Sequence, residues 1–144
     1  MDWFTKKRIL VPFDFSDESK EAVKVALALA ETKDDVHVLN VLAQLPVGDP
    51  YVVWDEHSDK HRMEVVRKSM GESLAEFDLA NIHLDVGIGN ASEKIADLAE
   101  EIGVGLIVIP SHGRTGVKRF LLGSVTERVV RLAHCPVLVL KKEN

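Results

Sequence analysis

The densest chemistry lies in residues 106–124. An apolar run, Leu106, Ile107, Val108 and Ile109, stops at Pro110. Ser111, His112, Gly113, Arg114, Thr115 and Gly116 follow, and Gly123-Ser124 opens a polar, helix-starting pattern. A buried strand feeding a glycine loop that ends at a helix N-terminus is a common way to build an anion site. The loop lets backbone N–H groups approach phosphate, and the helix end adds unpaired donors and a positive dipole end. Gly113 and Gly123 would give the backbone that approach, while Ser124 offers a hydroxyl and a helix-terminal N–H. Ser124 alternatively only caps its helix, worth about 1 kcal/mol. Pro110 works against the anion site, because it has no N–H and holds φ near about −65°. Arg114, Lys118 and Arg119 could neutralise phosphate charge, although exposed basic residues are commonly just solvated.

Other reactive residues are sparse. Asp14 sits at a strand-end turn, where it could hold a ribose hydroxyl or a metal on phosphates, or simply form the turn. His112 has no serine–acid partners at a recognisable spacing, so no catalytic residue is expected. His57 and His61 are four apart, but no H-E-x-x-H pattern completes a metal site. No nucleophile elbow and no G-x-x-x-x-G-K-[ST] loop occurs. The third strand ends in Ile88-Gly89, which rules out an acidic phosphorylation site there.

The 144 residues suit a single domain, 46% hydrophobic and 28% charged. No apolar run approaches the ~20 residues of a membrane span, and no h-region follows the charged N-terminus. One cysteine, Cys135, allows no internal disulfide and fits a reducing cytoplasm. A net charge of −5 argues against nucleic acid as a partner.

The elements that must position these residues alternate strand and helix. Residues 8–12, 36–42, 82–88, 106–109 and 137–140 read as strands, apolar on consecutive or alternate positions. Ser16 is expected to cap the first helix, whose face is Ala22, Val23, Ala26, Leu27 and Ala30. A second helix starts near Ser58, with Met63, Val66, Met70, Leu74 and Phe77 at core spacing. Asn90 with Glu93 caps a third, striped by Ile95, Leu98, Ala99 and Ile102 and ended by Gly103. Ser124 with Glu127 reads as a capping box opening the last helix, with Val125, Val129 and Leu132 on its apolar face. Residues 43–55 are broken by Pro46, Gly48 and Pro50, and their apolar Tyr51, Val52, Val53 and Trp54 are expected to pack locally. Alternation of this kind gives a parallel sheet with right-handed crossovers and a ligand crevice at the strand ends where the order reverses.

Three stretches resemble the universal stress protein family: Ser111-His112-Gly113-Arg114-Thr115-Gly116, Leu121-Leu122-Gly123-Ser124-Val125-Thr126-Glu127-Arg128-Val129, and Cys135-Pro136-Val137-Leu138-Val139. ATP-binding members carry Gly, two residues, Gly, nine residues, then Gly-Ser or Gly-Thr. Here Gly113 and Gly123-Ser124 match, while Pro110 stands at the first glycine. Pro12, Asp14 and Ser16 match the family's first turn. The resemblance implies a Rossmann-like three-layer α/β/α sandwich of residues 1–144, with five parallel strands in the order 3-2-1-4-5. It implies a stress-response sensor or signalling module, cytoplasmic, binding ATP, with Mg as a possible companion, and with little or no hydrolysis. It places the phosphates at Ser124 and the loop of Pro110, Ser111, His112, Gly113, Arg114, Thr115 and Gly116, and counts Gly123, Val125 and Thr126 among the nucleotide-binding residues. Asp14 would take the ribose or metal, and Pro12 with Val41 the adenine. It further implies a homodimer through edge strand Val137–Leu140. Pro110 supports an alternative: a nucleotide-free homodimeric stress-protective interaction module.

Overall fold

A strand covered on both faces must be apolar at consecutive positions, and three of the five strands are apolar throughout. A computed structural model describes residues 7–45, 58–112 and 122–141. Along these run β1 (Ile9–Pro12), α1 (Asp17–Leu29), β2 (Val36–Leu42), α2 (Asp59–Ser73), β3 (His83–Ile88), α3 (Ala91–Glu101), β4 (Leu106–Pro110), α4 (Ser124–Leu132) and β5 (Val137–Leu140). The sheet is wholly parallel, in the order β3-β2-β1-β4-β5, as expected.

Two cores flank it. On one face Val11, Val36, Val38 and Val108 pack with Ala22, Val23 and Ala26 of α1 and with Met70 and Leu74 at the end of α2. On the other, Leu10, Leu39, Ile107 and Ile109 pack with Ile95 and Ala99 of α3 and Val129 of α4. Helices on both faces of one parallel sheet make three layers.

The caps at three helix starts follow the expected chemistry. The side chains of Ser16, Ser58 and Asn90 accept from the backbone N–H of Ser19, His61 and Glu93. Gly103, just past α3, has φ 69°, a left-handed position suited to glycine.

Helix α4 departs from expectation. Its N-cap is Gly123, and no side-chain cap is made there. Ser124 is the first helical residue, so the Ser124–Glu127 capping box does not form. Glu127 pairs instead with Arg131 one turn on, at 2.6 Å. The buried face is Thr126 and Val129, whereas Val125 and Leu132 are 41% and 38% exposed. The three-residue step from 126 to 129 falls on the sheet side, and Thr126 tolerates burial because its hydroxyl donates to the Pro110 carbonyl at 2.8 Å.

Candidate functional site

The strand order reverses between β1 and β4, and there the sheet splits. Backbone direction alternates along a strand, so successive N–H groups point to opposite neighbours. Phe13 N–H donates to the Leu39 carbonyl at 2.8 Å, so odd residues of β1 face β2 and Pro12 faces β4. Ile107 and Ser111 donate to Pro136 and Leu140 of the β5 side, so Pro110 faces β1. Neither proline has an N–H to give. Pairing of β1 with β4 is seen at Ile9–Leu106 and Leu10–Ile107, and the strands part beyond.

The opening is a crevice of about 340 Å³, lined by Pro12, Phe13, Asp14, Ser19, Leu39, Asn40, Val41, Ala91, Ile95, Ile109, Pro110, Gly123, Ser124, Val125 and Thr126. That volume lies in the usual range for small-molecule pockets, about 300–1,000 Å³.

Three polar features face it. The first is the start of α4. Its earliest intrahelical bond is Glu127 N–H to the Gly123 carbonyl, so the amides of Ser124, Val125 and Thr126 precede the ladder. Gly123 N–H itself donates to the Ser111 carbonyl at 2.8 Å. Three amides and a positive helix end converge on the crevice, a donor set for an anion.

Asp14 is the second. Its Oδ1 accepts from the Ser16 N–H at 3.1 Å and from the Ser16 hydroxyl, and its N–H reaches the Ser19 hydroxyl at 3.4 Å. Asp14 therefore shapes the turn into α1 and lines the crevice at the same time. Phe15, within this turn, has φ 67°, so a left-handed step reverses the chain between strand and helix.

The third is Val41. Gly89 N–H donates to the Leu42 carbonyl, so even residues of β2 face β3 and odd ones face β1. β1 has ended by this level, so the N–H and C=O of Val41 both point across the crevice. The wall around them is apolar, made by Leu39, Ile95, Ala91 and Pro12. An apolar slot with a donor and an acceptor side by side suits the edge of a flat heterocycle.

Of the residues singled out in the sequence, Pro12, Asp14, Val41, Pro110, Gly123, Ser124, Val125 and Thr126 meet in this crevice. Ser111 and His112 do not line it. They are 5% and 4% exposed, with the Ser111 hydroxyl 3.1 Å from His112 Nδ1. Gly113, Arg114, Thr115 and Gly116 lie outside the described residues, as do Lys118, Arg119, His57 and residues 46–57. Phe13, Ser19, Leu39, Asn40, Ala91, Ile95 and Ile109 were not foreseen as lining residues. Asn40 alone carried a signal, as a polar residue in phase with the buried Val36 and Val38. Among the described residues no cluster of three or more His, Cys, Asp or Glu could hold a metal.

The fold and crevice can be set beside known proteins. The model of the universal stress protein family matches residues 6–141. Universal stress protein MJ0531 of Methanocaldococcus jannaschii is 37% identical over 142 residues, spanning 94% of this chain and 82% of that protein. The solved structure of MJ0577 from the same organism superposes with a TM-score of 0.77 at 33% identity, over 96% of this chain and 98% of that one. A universal stress protein from Archaeoglobus fulgidus, solved in complex with dAMP, has a TM-score of 0.57 at 20% identity, over 93% and 97% of the two chains. At that identity the likeness is one of fold.

Proposed function

The chain belongs to the universal stress protein family, and from that premise we propose that it binds ATP in the crevice between β1 and β4. It acts there as a stress-response sensor or signalling module. The observation that carries the reading is the opposition of two ends of one cavity. The three leading amides of α4 form a cradle for phosphates at one end. The N–H and C=O of Val41 form a donor–acceptor pair for a base at the other. Adenine, with an amino donor beside a ring-nitrogen acceptor, complements that pair, whereas guanine presents the opposite pattern. Asp14 lies between, within reach of a ribose. Mg²⁺ would arrive on the phosphates. The dAMP complex of the Archaeoglobus fulgidus relative is consistent with a nucleotide in this fold. The reading includes little or no hydrolysis of the bound nucleotide.

On the same premise the chain pairs with a second copy through β5. That strand is an edge of the sheet, Val137–Leu140 carries no charge, and Leu138 is 39% exposed. The opposite edge, β3, carries the polar His83 and the charged Asp85, which discourage edge pairing. Among the described residues no helix is long and apolar enough to cross a membrane. On the family premise alone we assign the protein to the cytoplasm.

Calorimetric titration with Mg-ATP, beside a Pro110→Gly variant, tests the reading. Binding by the unmodified chain supports it. Binding by the variant alone would mean that Pro110 closes an otherwise intact site. That outcome favours a second reading, a nucleotide-free interaction module, which Pro110 at the family's first motif glycine already recommends. Silence from both would reduce the crevice to scaffold.

A further inference from the structure

Val41 can meet a base only if its N–H is not spent inside the sheet. The parallel ladder gives that N–H an obvious partner. Phe13 donates to the Leu39 carbonyl at 2.8 Å. The next rung of the same ladder would run from the Val41 N–H back to the Phe13 carbonyl. Among the described residues that rung is absent. The Phe13 carbonyl is taken instead by the side chain of Asn40, whose Nδ2 donates to it at 2.7 Å. Only a donor can meet a carbonyl at that distance, so the amide orientation is fixed by its partner.

Asn40 is well placed for this. It is 9% exposed and lies on the α1–α2 face of β2, in phase with Val36 and Val38. A bond from that face draws the Phe13 carbonyl out of the plane of the sheet, away from the line to Val41. A carbonyl has two lone pairs, so the effect is one of direction and not of occupancy. The same bond holds the Phe13–Asp14 turn against β2 from the carbonyl side, while Phe13 N–H holds it from the other.

We infer that Asn40 is a positioning residue: it diverts the Phe13 carbonyl and so leaves the Val41 N–H open to the ligand. The inference rests on the proposed reading that Val41 meets a base, but its structural half is independent of any ligand. Replacing Asn40 with leucine, similar in volume and without a donor, lets the missing rung form. The crevice then loses its base-directed donor, although no lining residue of the cradle has changed.

Amide hydrogen exchange of the ligand-free protein, followed by NMR, tests this directly. In the unmodified chain the Val41 amide should exchange at least about tenfold faster than the Leu39 amide, which sits inside the ladder. In Asn40→Leu the Val41 amide should slow by about tenfold or more, approaching Leu39. Asn40→Ser, too short to reach the Phe13 carbonyl, should do the same and stands in should the leucine variant fail to fold. ATP affinity should fall about tenfold in either variant, the worth of one hydrogen bond, and the preference for ATP over GTP should narrow. A general loosening of the turn would speed exchange, not slow it, so the two causes separate. Val41 as slow as Leu39 in the unmodified protein, or unchanged in folded variants, overturns the inference. Absence of nucleotide binding with the predicted exchange pattern would overturn the function proposed above and leave this role of Asn40 standing.

Discussion

Pro12 and Pro110 turn their ring nitrogens toward each other across the seam between β1 and β4, one step apart in register. With ordinary residues the ladder would continue there, from residue 12 to the Val108 carbonyl and from residue 110 to the Pro12 carbonyl. Both donors are missing, and the crevice begins where they would have been. The proline at 110 therefore costs no bond to β5, since Ser111 supplies the N–H for the Leu140 carbonyl.

This relationship predicts the behaviour of Pro110→Gly. Glycine gains freedom in the unfolded chain, so the variant should be less stable by about 1 kcal/mol, read as a lower urea midpoint. Nucleotide affinity should stay within about threefold, because the cradle amides belong to Ser124, Val125 and Thr126 and not to residue 110. Binding more than about tenfold tighter in the variant would show that the proline ring obstructs the ligand.

Thr126 links the cradle to the sheet. Its buried hydroxyl, 4% exposed as a residue, donates to the Pro110 carbonyl at 2.8 Å. Thr126→Val keeps the shape and removes the donor, and should cost about 1–2 kcal/mol of stability. Thr126→Ser retains the donor and should lose less. Equal urea midpoints for the valine and wild-type proteins would show that the bond is not what fixes α4.

How much of this was legible before the structure differs by residue, for physical reasons. The buried strands were plain because both faces are covered, which forces consecutive apolar residues such as Ile107, Val108 and Ile109. Ser16 and Asn90 were plain because a cap is a local bond. Ser124 misled because Ser-x-x-Glu fits two registers. Gly123 can take the cap position one residue earlier, and only the packing of Thr126 and Val129 chooses between them. The openness of Val41 and the role of Asn40 depend on which way each peptide faces and on where the neighbouring strand stops. Residue types do not carry that information.

His37 should make stability depend on pH. Its ring stacks on His83 of β3, with centroids 4.2 Å apart and planes at 8°. Asp85 lies 3.4 Å from its Nδ1, and Asp34 holds His83 at 3.1 Å. Burial, then the neighbouring His83, lower the His37 pKa, with a smaller push from Arg8, while Asp85 opposes them. A lowered folded value means that the unfolded chain binds more protons in the window below about 6.5. The stability contributed by neutral His37 is full above that value and is lost as pH falls from there through the lowered folded pKa. The urea midpoint should drop between pH 7.5 and pH 5, and His37→Leu should flatten that part of the profile. An unchanged slope in the variant would assign the dependence to other groups.

The last prediction concerns the apolar edge. Carbonyls of Pro136 and Leu140 accept from β4, so even residues of β5 face inward and Val137 and Val139 turn their N–H and C=O to the open side. A proline at 139 removes an outward donor and spares every bond to β4. Its fixed φ is compatible with an edge strand. Val139→Pro should therefore keep the fold by circular dichroism yet sediment as a monomer, whereas the unmodified protein should sediment as a dimer. Leu138→Pro is the counterpart, because its N–H faces β4, and it should unfold the edge instead. A Val139→Pro protein that remains dimeric would move the interface elsewhere, with the exposed Val125, Val130 and Leu132 on α4, 41%, 46% and 38% accessible, as the next surface to test. The pairing of these two substitutions separates loss of an interface from loss of a strand, which neither variant could do alone.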